Sequence, residues 1–159
     1  MSKIATCLLF DRQAEEAARF YVDTFRDGSI DHISHYGENM PMAAGTVLLV
    51  AFTLFGQSYQ TLNCGAEFAF TEAVSLSISC ADQAEVDRLY EALTSGGGSP
   101  GPCGWVKDRF GLSWQIVPEE FVAMQKSSDA AAVARAMQAM MTMQKLDLGV
   151  LKAAYAGEG

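Results

Sequence analysis

The alternation of apolar and polar positions predicts two similar βα units followed by a tail of different character. Ile4-Ala5-Thr6-Cys7-Leu8-Leu9-Phe10 reads as a strand. After Asp11, the residues Ala14, Ala17, Ala18, Tyr21 and Phe25 recur at i, i+3, i+4 and i+7, the rhythm of one apolar helix face. Asp11 is the expected N-cap, Glu15 and Glu16 suit the positive end of the helix dipole, and Gly28 supplies the stop. The second unit opens with Val74, Leu76 and Ile78 alternating with serines, a strand buried on one face. Asp82 with Glu85 is a capping-box-like start, Val86, Leu89, Tyr90 and Leu93 form the stripe, and Gly96-Gly97-Gly98 ends the helix. The spacing of Asp11 and Asp82 marks the length of a repeat.

Each predicted helix is followed by three strands. In the first half they are 29–36, 46–55 and 57–64, with Gly56 at the tight turn between the last two. In the second half they are 99–102, 104–107 and 112–117. The pattern is βαβββ twice over, a duplication of structure with little trace in sequence. Residues 37–45 carry turn chemistry without periodicity and read as a surface loop suited to a lid. From Ser128-Asp129 to about Lys145 runs an Ala-rich helix with Val133, Met137, Met140 and Met141 on one stripe, and a shorter helix is expected from Asp147 to Tyr155. A Met stripe at this spacing suits packing on the body or on a partner subunit.

The chain has 159 residues, of which 50% are hydrophobic, enough for a buried core without disulfides. A formal net charge of −8 argues against nucleic acid and against an anionic membrane surface. The longest predominantly apolar run, Val47 to Phe55, is far shorter than the roughly 20 residues that span a bilayer. The N-terminus leads directly into a strand-like segment without a secretory signal pattern, so a cytoplasmic location is expected. Cys7, Cys64, Cys80 and Cys103 form no CxxC pair and no zinc-finger spacing with histidine. They read as small reduced hydrophobes, with Cys103 set apart by its closeness to Lys107 and Arg109. His32 and His35, three apart on a predicted strand, point to opposite faces and suit a sheet surface better than a metal.

The stretch from Cys103 to Ile116 concentrates the chemistry. It reads as a β-hairpin whose polar turn closes at Gly111 and which carries two tryptophans, a Lys107-Asp108-Arg109 cluster and Gln115. Large aromatics beside a few fixed polar groups are what a small-molecule pocket needs. Trp105 and Trp114 fit either core or interface packing or the lining of such a pocket. Lys107, Asp108 and Arg109 read as a solvated turn, with Asp108 in an Asx-type bond and a general-base role as the minor alternative. Asn63 and Gln115 are amides on otherwise apolar strands and must find partners if buried, either neighbours or a ligand.

Several runs together resemble one family. They are Ala14-Glu15-Glu16-Ala17-Ala18-Arg19-Phe20-Tyr21, Phe52-Thr53-Leu54-Phe55-Gly56-Gln57, Leu62-Asn63, Ser75-Leu76-Ser77-Ile78 and Asp82 to Arg88. Cys103-Gly104-Trp105 and Asp108 to Gln115 complete the set. These runs are similar to the PhnB-like proteins, often labelled 3-demethylubiquinone-9 3-methyltransferase. That family lies in the glyoxalase/bleomycin-resistance, or vicinal oxygen chelate, superfamily. The resemblance covers about residues 4–120. It implies an α+β fold of paired βαβββ modules, 1–66 and 72–120, with curled mixed sheets around a pocket; the helical tail expected at 126–156 from its own periodicity lies outside it. It also implies a homodimer and a small-molecule ligand.

Enzymes of that superfamily commonly hold a divalent metal on the first and last strands of each module. Transferred to this chain, the last strands offer Gln115 and either Gln60 or Asn63. The first strands offer Thr6 or Leu8, and Ser75 or Ser77. A divalent ion wants several imidazole or carboxylate ligands, so no metal site and no cofactor are expected. Methyl transfer needs a nucleotide-type pocket with a Gly-rich first turn, whereas the first strand here leads to Asp11-Arg12-Gln13. The expected function is small-molecule binding in the sheet cavity, with Gln60, Asn63, Cys103, Trp105, Asp108, Trp114 and Gln115 as the candidate residues. The alternatives are a metal-dependent lyase, isomerase or dioxygenase of the same superfamily, the methyltransferase of the family label, and an interaction protein built around the Met-rich tail.

Overall fold

The computed structural model describes residues 2–158, which divide into two units, 2–69 and 70–158, each with its own four-stranded mixed sheet. In the first unit, β1 (Thr6–Phe10) leads to α1 (Ala14–Phe25), then to β2 (Gly28–His35), β3 (Val47–Leu54) and β4 (Gln57–Asn63). The strand order is β1-β4-β3-β2, with β1 parallel to β4 and the other pairs antiparallel. β3 and β4 form the predicted hairpin over Phe55-Gly56, both with positive φ, as a two-residue primed turn requires.

The core of this unit follows from strand alternation. Val50, Phe52 and Leu54 on β3, and Leu8 and Phe10 on β1, are buried on the same side as Ala14, Ala17, Ala18, Tyr21 and Phe25 of α1. Tyr21 stacks on Phe52, and Phe52 on Tyr59.

The start of α1 differs from the sequence expectation. Its N-cap is Gln13, without a side-chain cap, and Asp11 caps nothing. The Ala14 N–H donates instead to Asn63 Oδ1 at 2.9 Å, and the Ala14 carbonyl accepts from Thr61 Oγ1 at 2.7 Å. Two polar side chains of the last strand therefore seat the first turn of the helix. Asn63, only 2% exposed, also donates from Nδ2 to the Val47 carbonyl at 3.0 Å, while its own carbonyl accepts from Tyr36 Oη at 2.6 Å.

The second unit repeats this topology. It comprises β5 (Ser75–Cys80), α2 (Gln83–Thr94), β6 (Ser99–Pro100), β7 (Trp105–Lys107) and β8 (Ser113–Pro118), ordered β5-β8-β7-β6 with β5 parallel to β8. Here the predicted cap is present. Asp82 Oδ1 accepts from the Glu85 N–H at 2.8 Å, and Glu85 Oε2 reaches back to the Ala81 N–H at 2.7 Å. Val86, Leu89 and Leu93 are the buried stripe of α2, which lies along β7 and β8, and Val106, Trp114 and Ile116 are the buried sheet positions. Val74, expected on the buried face, lies before the strand and is exposed.

Three helices follow β8, one more than the sequence pattern indicates. α3 (Glu119–Gln125) starts directly after Pro118, whose fixed φ begins the turn. α4 (Ala130–Met140) is capped by Asp129 and ends five residues before the expected boundary, and α5 (Leu148–Ala156) is capped by Asp147. The α4 contact stripe is Ala132 and Ala136 flanked by Val133, Met137 and Met140, while Met141, expected on it, is 69% exposed. Small residues let α4 approach closely, and a cluster of Phe121, Ala136, Leu146 and Leu151 closes the tail's own core.

The tail is tied to the sheet by backbone. Cys103 and Gly104 are both left-handed (φ 58 and 83), and their N–H groups donate to the Met143 and Gln144 carbonyls at 2.8 and 2.7 Å. Gln83 braces the same segment from α2, donating to the Leu146 carbonyl at 3.0 Å and accepting from the Leu148 N–H at 2.7 Å. Leu146 lies directly on Gly104, so that a Cβ there would come within 2.9 Å of its Cγ.

Two outcomes follow. Asn63→Ala removes the acceptor for Ala14 and the donor for Val47 inside the core, and is expected to lower unfolding stability by roughly 2–3 kcal/mol, read from urea midpoints. Gly104→Ala meets both the left-handed backbone and Leu146, and is expected to lose about 1–3 kcal/mol and to speed limited proteolysis within 142–148 before the rest of the chain.

Candidate functional site

In each unit the parallel pairing of first and last strands sets which side chains share the sheet face opposite the buried one. On the first sheet the register aligns Cys7 with Gln60, Gln60 with Ala51 and Ala51 with His32. On the second it aligns Ser77 with Gln115 and Gln115 with Trp105, and, one step along, Ser75 with Ser113 and Ser113 with Lys107. These positions alternate with the ones packed against α2, so the other face of the second sheet carries hydroxyls, the buried Ser113 among them, an amide, an indole and an ammonium.

The seven residues predicted from sequence separate into three places. Cys103, Trp105 and Gln115 come together on the second sheet, half-buried, around a cavity of about 250 Å³. Gln60 lies half-buried on the open face of the first sheet, beside Cys7 in register. Asn63, Asp108 and Trp114 are in the interior. Trp114 is 1% exposed, which resolves its two readings in favour of packing, whereas Trp105 lines cavities.

Asp108 departs most from the expected solvated turn. It does make the Asx-type bond, but it is 2% exposed. Its Oδ1 accepts from the Phe110 N–H at 2.9 Å and the Leu112 N–H at 3.1 Å, and its Oδ2 accepts from Trp114 Nε1 at 2.8 Å. A buried indole N–H needs an acceptor, and the turn supplies one. The carboxylate is committed to holding the hairpin together and to seating Trp114.

A larger cleft of about 550 Å³ borders the same sheet, lined by Trp105, Lys107, Ser113, Glu72 and the Ser99–Cys103 segment. Lys107 forms an ion pair with Glu72, and that hydrogen bond, more than the bare charge, holds the Glu72 carboxyl below its ordinary range. Ser113 is 1% exposed, and its Oγ has no hydrogen-bond partner among the described residues. Such an orphaned hydroxyl beside a cleft is uncommon in a settled interior. Ser113 and Glu72 were not singled out from sequence. The period-2 relation of Ser113 to Gln115 could have indicated the first, and nothing local indicates the second.

The donor set does not fit the divalent metal that the fold family implies. The paired first- and last-strand positions hold Cys7 with Gln60 and Ser77 with Gln115, a thiol, a hydroxyl and two amides where imidazoles and carboxylates would be needed. Among the described residues no three His, Cys, Asp or Glu side chains group to hold an ion. Gln115 Nε2 donates to Ser75 Oγ at 2.9 Å, so this amide is already oriented by its neighbour. Of the thiols, Cys80 is fully buried and desolvation pushes it up to about 12, which keeps it neutral and inert. At the first turn of α1, the Ala14 N–H is taken up by Asn63 Oδ1.

Replacing Asp108 by Asn puts an NH2 group against N–H donors in either amide orientation. Asp108→Asn is expected to cost roughly 1–3 kcal/mol, and much less in a Trp114→Phe background, a coupling that a double-mutant cycle of urea midpoints reads directly.

Residues 2–117 match the model of the family described as 3-demethylubiquinone-9 3-methyltransferase. No curated protein matches the chain. Among solved structures, the PhnB protein from Bacillus cereus is 35% identical, with a TM-score of 0.66 over 74% of this chain and 99% of its own. A Pseudomonas aeruginosa protein is 20% identical, with a TM-score of 0.61 over 75% of this chain and 98% of its own. The fosfomycin resistance protein FosX from Mesorhizobium loti is 15% identical, with a TM-score of 0.50 over 74% and 92%, a likeness of fold alone. With its two βαβββ units and its matching segments, the chain belongs to the PhnB-like family described as 3-demethylubiquinone-9 3-methyltransferase, on the glyoxalase, or vicinal oxygen chelate, fold.

Proposed function

We propose that this protein binds a small organic molecule on the open face of its second sheet, by hydrogen bonds and aromatic contact rather than through a resident divalent metal. The observation that carries this reading is the 550 Å³ cleft in which Trp105 and the Lys107–Glu72 pair stand beside a buried, unpartnered Ser113 hydroxyl. The size is that of a small-molecule site, and few convergent polar groups on an apolar wall set orientation. Trp105 offers a flat surface for a ring or a planar amide, and Lys107 offers a charge-assisted donor once Glu72 yields it.

The chelating lyase, isomerase and dioxygenase readings need ligands that the aligned strand positions do not supply. The methyltransferase reading gains no support from the turn after β1, which is Asp11-Arg12-Gln13 rather than Gly-rich. Binding is thus the activity that the side chains support. On this reading the protein works as a homodimer, as the family resemblance suggests.

The test is ligand-detected NMR of a panel of small aromatic amides and carboxylates against the full chain, with and without chelator. Chelation is expected to leave binding unchanged, and Trp105→Ala to weaken every hit about tenfold. A stoichiometric divalent ion in the purified protein, lost together with ligand affinity in Gln115→Ala, would reverse the reading.

A further inference from the structure

The helical tail lies beyond residues 2–117, the part that matches the family, yet it does not merely decorate the surface. It borders one end of the second sheet's open face and walls one side of a partly open pocket of about 250 Å³. The sheet side of this chamber is Ser77, Trp105 and Gln115, and the tail side includes Phe121, Val122 and Met140. Cys103 and Trp105 line this chamber and the larger cleft alike. The wall is fixed in place, because the segment beside it is held by the Cys103 and Gly104 N–H groups, by both ends of the Gln83 amide, and by Lys145 Nζ on Asp87 Oδ1 at 2.8 Å.

The geometry points to a second, smaller binding site between the tail and the sheet, selective for a neutral molecule with one compact ring or branched alkyl group and one hydrogen-bond donor. This inference rests on the reading of the open face as a binding surface, and adds the class of group that the tail admits.

Size sets the first limit. A dry cavity of about 150 Å³ holds benzene, so 250 Å³ suits a ring with one or two small substituents. Polarity sets the second. Gln115 donates through Nε2 to Ser75, and among the described residues its Oε1 receives no hydrogen bond, so the amide presents an acceptor to an incoming O–H or N–H. Phe121, Val117 and Met140 supply apolar walls beside Ser77 and a second amide, Gln125, whose Nε2 donates to Met137 Sδ at 3.3 Å, and Met140 is able to adjust to irregular shapes. Charge sets the third. No Lys or Arg lines this chamber, so an anion entering it would lose hydration without a counter-ion.

The probe is p-cresol, with toluene and p-toluate as comparisons, titrated into the full chain by NMR. We expect saturable p-cresol binding with intermolecular NOEs from its ring protons to the Met140 methyl and the Trp105 indole, and p-toluate at least tenfold weaker. Gln115→Leu is expected to weaken p-cresol about tenfold while leaving toluene unchanged, and Val122→Trp to abolish both by filling the chamber. Circular dichroism establishes that each variant is folded, and the NOEs in the unaltered chain decide the matter if one is not. Absence of p-cresol binding at about 10 mM overturns the inference. So does binding with NOEs to Trp105 and Lys107 but none to Met140, an outcome that leaves the larger cleft intact as a binding site. Equal effects of Gln115→Leu on p-cresol and toluene would overturn the role given to the amide.

Discussion

Parallel pairing of the first strand with the last governs each half of this protein. A parallel ladder cannot be closed by a tight turn, so a helix and two further strands must intervene between its partners. The register of that ladder then decides which residues look toward the helix and which toward the open face. In the first unit it puts Asn63 and Thr61 beneath the start of α1 and Gln60 on the other side. In the second it puts Trp114 and Ile116 inside, with Ser113 and Gln115 on the opposite face. A slip of one residue would exchange these sets, which gives the buried aromatic and aliphatic residues their power to hold the register.

Two buried polar side chains show how the units make their interiors tolerable. Asn63 spends its acceptor on a helix start that has no cap of its own, and its donor on a neighbouring strand. Asp108 gathers two turn N–H groups and an indole N–H. Each looks like a ligand-binding residue when judged by residue type, and each is better described as local scaffolding. What remains for chemistry on the second sheet is a face of hydroxyls, an amide, one indole and a paired lysine. Such a set offers hydrogen bonds and an aromatic surface, and few ligands of the kind a hard or borderline cation takes.

The tail extends the second sheet's architecture with three short helices, too short to be stable alone, that gain their stability from packing. Their attachment depends on a left-handed pair, Cys103-Gly104, that turns two backbone donors outward from the end of the sheet. Glycine at 104 serves both the φ of that turn and the close approach of Leu146. The consequence is a chamber that the matching part of the family would not form by itself.

The duplicated βαβββ order was legible in the chain because both periods are strong there: Ala14, Ala17, Ala18 and Tyr21 at helical spacing, Leu76 and Ile78 alternating with serine, and the Asp82–Glu85 box at the start of α2. The hairpin closing at Gly111 was legible for the same kind of local reason, since its turn chemistry is contiguous. The failures share a cause as well. Asp11 looked like a cap because capping residues are recognised by position, but the α1 N–H found Asn63, remote in sequence, and only strand register brought it there. Asp108 looked solvated because its indole partner is recognised only once Trp114 is inside. Ser113 and Glu72 joined the candidate site, and Asn63 left it, through alternation and an ion pair that tertiary packing created. Local pattern thus determined the elements of the two repeats and their order; which polar groups remained available for a ligand was decided by the folded structure, because a side chain's free hydrogen-bonding capacity depends on partners that only the assembled sheet brings within reach.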